Sequence, residues 1–142
     1  MSAPELVHAT TVAIDGRGVL IRGASGSGKS DLALRLIDRG AELVSDDQTV
    51  VERVGDVLVA SAPKTILGKL EVREVGVLEL PSRAEAPVAL CVSLEPPFER
   101  TPSARSTVLA GVALREIALD PRPASAAIKV ELALRNSQMV VE

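Results

Sequence analysis

The chain has 142 residues, of which 46% are hydrophobic, and its 16 Lys and Arg residues against 19 Asp and Glu residues give a net charge of −3. This length and apolar content predict a single compact domain over residues 1–142, and the slight negative charge argues against a general binder of nucleic acid or anionic membranes. Because Trp and Tyr are absent and Phe occurs once, the chain also lacks the aromatic platforms on which single-stranded nucleic acid stacks.

Short β-type segments dominate the predicted secondary structure, and turn signals separate them. Turns are marked by Asp15-Gly16 and Gly55-Asp56, and a Pro-rich stretch over residues 95–102 continues through residues 103–107 as a predicted exposed, mobile loop. The predicted strands cover residues 6–14, 18–22, 41–45, 49–53, 57–60, 75–80 and 88–94.

Two helices are predicted between and after these strands. The first covers residues 31–39, where Leu32 and Leu36 lie one turn apart and Gly40 is a C-terminal cap. The second lies within residues 124–134, where Ile128 and Leu132 share a face that we expect to pack on the sheet.

Compartment and thiol chemistry follow from what the sequence lacks. No apolar run approaches the length of a membrane span, and the first residues lack the basic and apolar regions of a signal peptide. We therefore expect a cytoplasmic protein without membrane contact. Cys91 is the only cysteine, so it cannot form an internal disulfide, and its apolar neighbours predict a buried thiol.

A complete phosphate-loop motif, G-x-x-x-x-G-K-[ST], is formed by Gly23, Ala24, Ser25, Gly26, Ser27, Gly28, Lys29 and Ser30. Glycines let the backbone N–H groups turn inward around a polyphosphate, while Lys29 reaches the outer phosphates and the Ser30 hydroxyl ligates Mg²⁺. The loop lies between a predicted strand and a predicted helix, whose N-terminus adds partial positive charge. The motif predicts a nucleoside triphosphate site.

Two adjacent acids, Asp46 and Asp47, follow the predicted strand at residues 41–45. A strand directly after the phosphate-loop helix usually lies beside the first strand, and ligands of open α/β sheets bind at the carboxyl ends of the strands. Adjacent carboxylates resist ionising together, so one could coordinate Mg²⁺ while the other accepts a proton. Without the phosphate loop, the same pair would be read as a solvated turn.

Four further polar residues are weaker candidates. Glu71 and Arg73 alternate with apolar residues and would share one strand face, where the acid could complete a Mg²⁺ shell and the base could bind phosphate. His8 is predicted on a strand and shares a face with Thr10, which is also typical of a structural histidine. Arg100 lies in the Pro-rich loop, where it is either a solvated charge or a phosphate ligand.

The order of these motifs resembles the catalytic domain of bacterial HPr kinase/phosphorylase, in the short form found in alphaproteobacteria that lacks the N-terminal domain. His8 precedes Lys29 as the family's His precedes its phosphate-loop Lys. Residues 39–40 and 44–47 resemble the family's "RG…LVADD" segment, and residues 70–76 resemble its "LEIRGLG" signature. The resemblance implies a β-rich α/β phosphate-loop fold shared with phosphoenolpyruvate carboxykinases.

The resemblance also implies roles for individual residues. Asp47 matches the Asp that accepts the serine proton of HPr during phosphorylation and returns one during the reverse attack of phosphate on phosphoserine. Ser30 and Glu71 match Mg²⁺ ligands, and Asp46 is expected to support metal or phosphate. The remaining matches to active-site positions are His8, Lys29 and Arg100.

The chain departs from the family pattern near its C-terminus and within the signature. The "RPGRN" loop of the long members, tied to dephosphorylation, is represented only by residues 122–126, without the second Arg or the Asn, which predicts weak phosphorylase activity. Glu74 replaces a Gly of the signature.

The function predicted from the resemblance is ATP- and Mg²⁺-dependent phosphorylation of a serine on HPr, the phosphocarrier protein of the phosphotransferase system. Other proteins of that system are further candidate partners, and a homo-oligomer is compatible with the sequence. Two alternatives stay open, namely a small-molecule kinase with the same loop and a nucleotide-sensing regulator without transfer chemistry.

Overall fold

A nine-stranded mixed sheet organises the protein, whose computed structural model describes residues 3–136. The strands and helices are β1 (Glu5–Val7), β2 (Ala9–Ile14), β3 (Arg17–Arg22), α1 (Lys29–Asp38), β4 (Glu42–Ser45), β5 (Thr49–Val54), β6 (Val57–Ser61), β7 (Lys69–Val72), β8 (Gly76–Glu79), β9 (Glu85–Ser93), β10 (Arg105–Leu109), β11 (Val112–Ala118) and α2 (Ala126–Arg135). The spatial order in the large sheet is β1-β5-β6-β9-β3-β2-β4, and the β10–β11 hairpin joins through β11, which pairs in parallel with β9.

The two faces of the central strands are buried in two separate hydrophobic clusters. Val19 and Ile21 of β3 point into the cluster that includes α1 and α2, whereas Leu20 between them points into the cluster that includes β5 and β6. Successive strand residues face opposite sides of a sheet, so the run from Val19 to Ile21, which is buried on both faces, is apolar throughout. The predicted β-rich α/β fold is confirmed, with two α-helices among residues 3–136.

Helix α1 ends as the sequence predicts. Gly40 follows the helix with a φ of 109°, a conformation that favours glycine. Its N–H donates to the carbonyl of Ile37, and the N–H of Ala41 donates to that of Leu36, both at 3.0 Å. This pair of bonds is a Schellman motif, which satisfies carbonyls that the helix end would leave unpaired.

The buried face of α2 is not the predicted one. Ile128 and Leu132 are 41% and 51% exposed, while Val130 and Leu134 are buried in the cluster shared with α1. The Ala pair at 126–127 is buried on the same side of the helix as Val130 and Leu134, so this side packs toward the sheet and leaves Ile128 and Leu132 exposed.

Two predicted segments also differ from the structure. The predicted strand at 6–14 is broken at His8, because β1 pairs with β5 whereas β2 pairs with β3 and β4. Part of the predicted loop at 103–107 belongs to β10, which is held by β11, a strand that the sequence analysis did not predict. The break at His8 arises from pairing with a distant segment, which local patterns do not encode. In contrast, β10 and β11 form a local hairpin in which Leu109 lies opposite Val112.

No helix within residues 3–136 has the length and apolarity needed to cross a membrane.

Candidate active site

Three chain segments meet at one edge of the sheet and build the candidate site. Strand β2 lies between β3 and β4 and is antiparallel to both, so the carboxyl ends of β3 and β4 meet the amino end of β2. The prediction that the strand after α1 lies directly beside β3 was wrong, because β2 is inserted between them. The shared edge nevertheless brings His8, Gly23 and Asp46 together, as each residue adjoins its strand at that end.

The phosphate loop has a backbone that requires its glycines. A Cβ at Gly23 would lie 2.4 Å from the Ser27 hydroxyl oxygen, and Gly28 adopts a φ of 106° where α1 begins. The N-cap residue of α1 is Gly28, and among residues 3–136 it provides no side-chain cap for the first amides of the helix. A helix end of this kind, together with a glycine-rich turn, favours binding of an anion such as phosphate.

Lys29 is buried at the base of the loop. Its side chain is 5% exposed, and Nζ donates hydrogen bonds to the carbonyls of Gly23 at 3.0 Å and Ala24 at 3.2 Å. The same ammonium lies 3.6 Å from Asp47 Oδ1. A cation held between the loop and an acid is placed where the outer phosphates of a nucleotide would need charge neutralisation.

Asp46 is surrounded by hydrogen-bond donors. Its Oδ1 accepts from the Ser30 hydroxyl at 2.6 Å and from the Thr10 hydroxyl at 3.1 Å, and its Oδ2 accepts from the Glu71 amide at 3.2 Å. The carboxylate therefore joins the start of α1, strand β2 and strand β7. This contact with Ser30 places two hard oxygen ligands side by side.

Asp47 differs from its neighbour in being open to solvent. Its side chain is 57% exposed, and Oδ1 lies 2.7 Å from Nε2 of His8. Its backbone adopts a φ of 63°, and its amide donates to the Thr10 hydroxyl at 3.0 Å. The carboxylate is thus held by His8 and Lys29 while remaining accessible to a large substrate.

A cavity of about 620 Å³ opens beside these residues. It is lined by Ser25, Gly26, Gly28, Lys29, Ser30, Asp31, Leu34, Asp46, Asp47, Glu71, Val72, Arg73 and Glu74. The phosphate loop, both acids and the β7–β8 hairpin therefore share one space. Arg73 reaches the cavity from the turn after β7, so the prediction that Arg73 and Glu71 share a strand face was wrong.

A second cavity of about 500 Å³ lies next to His8 and the first residues of the phosphate loop. One wall is Glu95, whose Oε1 accepts a hydrogen bond from the Ala24 amide at 2.8 Å. Neither Glu95 nor Thr10 was among the site residues predicted from the sequence. The predicted position of Thr10 on the same strand face as His8 could have indicated a role for Thr10. No sequence pattern indicated a role for Glu95, because it precedes two prolines in an irregular loop.

Arg100 is not brought into either of these two cavities. It is exposed in the irregular segment between β9 and β10, and within residues 3–136 it makes no hydrogen bond or ion pair. Its assigned role therefore stays a prediction.

Arg122 lies in the segment before α2, close to the phosphate loop. Pro121 adjoins Gly28, and the Arg35 guanidinium donates to the Pro121 carbonyl at 2.6 Å. The Arg122 guanidinium binds both carboxylate oxygens of Asp120. The hydrogen bonds from the Arg122 side chain lower the pKa of Asp120 from its ordinary value. The guanidinium and the carboxylate therefore form an ion pair with each other.

Comparison with known proteins assigns the family. The sequence model described as the HPr Serine kinase C-terminal domain matches residues 1–83. The chain belongs to this family. The HPr kinase/phosphorylase of an Exiguobacterium species is 42% identical over 97 residues, and that of Clostridium acetobutylicum is 46% identical over 81 residues.

The matches to these two relatives are partial. They cover 63% and 56% of this chain, but only 31% and 27% of the relatives' own lengths. A solved structure described as the HPr(Ser) kinase/phosphatase from Coxiella burnetii superposes with a TM-score of 0.83 at 28% identity, covering 94% of this chain and 96% of that one. The family assignment and the fold therefore agree.

Proposed function

We propose that residues 1–142 form a phosphate-loop kinase domain that transfers the γ-phosphoryl group of ATP to a serine of HPr. One observation carries the proposal. The exposed carboxylate of Asp47 lies 3.6 Å from the phosphate-loop ammonium of Lys29, so a base and a phosphate-binding cation meet at the mouth of one cavity. The family membership supports HPr as the acceptor, since the relatives described above are named for it.

In the proposed reaction, the acceptor serine approaches from the solvent side of Asp47. Its hydroxyl proton passes to the Asp47 carboxylate while the serine oxygen bonds to the γ-phosphorus and the bond to the ADP oxygen breaks. His8 orients the carboxylate through the 2.7 Å contact at Nε2. Lys29 and the backbone amides of the phosphate loop stabilise the charge that spreads over the phosphoryl oxygens.

The oxygen atoms around Asp46 fit a magnesium ion. The Ser30 hydroxyl and the Asp46 carboxylate are in direct contact, and Glu71 lines the same cavity. These are hard oxygen donors of the kind that Mg²⁺ prefers. Within residues 3–136, no three His, Cys, Asp or Glu side chains form a metal-binding group, as expected where nucleotide phosphates supply several of the ligands. The ion would neutralise phosphate charge.

Exposure at the site favours a protein acceptor over a small molecule. The His8 and Asp47 side chains are 49% and 57% exposed, whereas a kinase for a metabolite usually encloses its substrate to exclude water. A regulator without transfer chemistry would need the phosphate-loop lysine to bind nucleotide, but it would not need an accessible carboxylate beside that lysine.

The test is incubation of the protein with labelled ATP, Mg²⁺ and HPr from the same genome, followed by mass spectrometry to locate the phosphate. We expect a single phosphoserine on HPr. The matched control is Asp47→Asn, which should bind nucleotide without transfer. Turnover with a panel of metabolites but not with HPr would favour the small-molecule kinase, and nucleotide binding without any phosphorylated product would favour the regulator.

A further inference from the structure

The Thr10 side chain contacts both acids of the site. Thr10 is fully buried in β2, and its hydroxyl makes two hydrogen bonds in opposite senses. It donates to Asp46 Oδ1 at 3.1 Å and accepts from the backbone amide of Asp47 at 3.0 Å. A threonine hydroxyl has one donor and two acceptor positions. The Thr10 hydroxyl therefore acts as donor to Asp46 and as acceptor from Asp47.

The bond to Asp47 acts on a strained part of the backbone. Asp47 has a φ of 63°, in the left-handed region that residues other than glycine seldom adopt. Such a conformation persists when the surrounding structure holds it. Of the contacts described above, the Thr10 hydroxyl is the one that engages the Asp47 backbone, whereas His8 and Lys29 engage its carboxylate.

Thr10 reaches the acids because of an irregularity in the pairing of β2 and β4. The register shifts between Thr11 and Val12, so that Ser45 lies opposite Thr11 and Leu43 lies opposite Val12. A bulge of this kind redirects the strand that contains the extra residue. It brings the residues after Ser45 back toward β2, where Thr10 meets them.

We propose that Thr10 is a positioning residue that sets the relative placement of the Asp46 carboxylate and the Asp47 backbone. This inference rests on the proposed kinase function. Thr10 is fully buried and lines neither of the two cavities. It holds Asp46, which contacts Ser30, and Asp47, which contacts His8, at a fixed separation. Metal binding and proton transfer can then occur in one geometry.

The test compares Thr10→Val, which keeps the shape and removes the hydroxyl, with Thr10→Ser, which keeps the hydroxyl. Thr10→Val should lower kcat by about 10- to 100-fold, the factor expected for one hydrogen bond to a charged group. The KM for ATP should stay near the wild-type value, because the phosphate loop is untouched. Thr10→Ser should restore most of the turnover.

Thr11→Val is the matched control. Thr11 is equally buried in the same strand, and its hydroxyl bonds to the Thr49 hydroxyl at 2.9 Å, outside the site. This variant also removes one buried hydroxyl from β2. We expect it to lose a similar amount of thermal stability but to keep wild-type turnover.

A second measurement does not depend on catalysis. Amide hydrogen exchange at Asp47, followed by NMR on the free protein, should be slow in wild type, Thr10→Ser and Thr11→Val but fast in Thr10→Val. A protected Asp47 amide in Thr10→Val, an unchanged kcat, or an equal loss of turnover in Thr11→Val would overturn the proposal. If wild-type protein fails to phosphorylate HPr, the proposed function fails, while the exchange experiment still decides whether Thr10 holds Asp47.

Discussion

Asp46 and Asp47 are neighbours in sequence, yet they occupy different surroundings. Asp46 accepts three hydrogen bonds and is partly buried, whereas Asp47 is exposed and has a left-handed backbone conformation. That conformation turns the two side chains toward different partners, Ser30 for the first and His8 for the second. Two roles can therefore be divided between adjacent carboxylates without both contacting the same cation.

The assignment of the base to Asp47 is tested by Asp47→Asn. The amide keeps the size of the side chain but cannot take a proton, so transfer to HPr should fall by about 10²- to 10⁴-fold. ATP binding, measured by calorimetry, should persist. Asp46→Asn should instead weaken the response to Mg²⁺. A nearly silent Asp47→Asn alongside an inactive Asp46→Asn would require the two roles to be exchanged.

Substitutions of the phosphate-loop residues Lys29 and Ser30 should impair activity in different ways. Lys29→Ala removes the cation that lies between the loop carbonyls and Asp47, so both ATP affinity and transfer should be lost. Ser30→Ala removes a hydroxyl that contacts Asp46, so it should raise the Mg²⁺ concentration needed for half-maximal activity more than it weakens nucleotide binding. Wild-type turnover in Lys29→Ala, or an unchanged Mg²⁺ titration in Ser30→Ala, would contradict these roles.

At the scale of elements, the segment between β11 and α2 brings Arg122 near the phosphate loop but keeps it paired. Its guanidinium binds both oxygens of Asp120. The long family members are expected to use the "RPGRN" loop in the reverse reaction, whereas this chain offers Arg122 without the second Arg or the Asn. Fewer free donors should mean weaker capture of inorganic phosphate.

We therefore predict a kinase with weak phosphorylase activity, and an increase in that activity on releasing Arg122. Asp120→Asn removes the charge that holds the guanidinium, so loss of phosphate from phosphoserine-HPr at millimolar inorganic phosphate should speed up, by about tenfold if one charge-assisted hydrogen bond is gained. The forward rate should change little. Comparable forward and reverse rates in the wild type would show that the missing loop residues are not needed.

At the scale of the whole molecule, the central sheet is buried in a hydrophobic cluster on each face, and Cys91 belongs to the cluster that includes β5 and β6. The thiol is fully buried beside β3 and β11. Burial raises the pKa of Cys91 to about 12 from an ordinary value of 9.0. Thiolate is the reactive form, so the folded protein should resist alkylation at pH 8.

The pKa of Cys91 predicts a stability change at alkaline pH. Between pH 9 and about 12 the unfolded thiol loses its proton while the folded thiol keeps it, so the free energy of unfolding should fall as pH rises through this window and be unaffected by the group below it. Urea titrations of wild type and Cys91→Ala at pH 8 and pH 10.5 test this. An equal decline in both proteins, or rapid alkylation without urea, would contradict it.

The sequence by itself determined the phosphate loop, the helix after it, its Gly40 cap and the acid pair, because each depends on residues close together in the chain. Those features already predicted nucleotide chemistry, and the resemblance to HPr kinase/phosphorylase predicted the β-rich α/β class. The positive φ of Gly40 and the apolar run in β3 are local consequences of sterics and burial.

Tertiary structure alone decided how distant segments meet. The break at His8, the insertion of β2 between β3 and β4 and the pairing of β11 with β9 all depend on contacts between residues far apart in sequence. The same contacts bring Thr10 to both acids and Glu95 to the phosphate loop. They also selected the face of α2 that contains Val130 and Leu134 for burial, because the space left by the neighbouring helix and sheet sets which side fits.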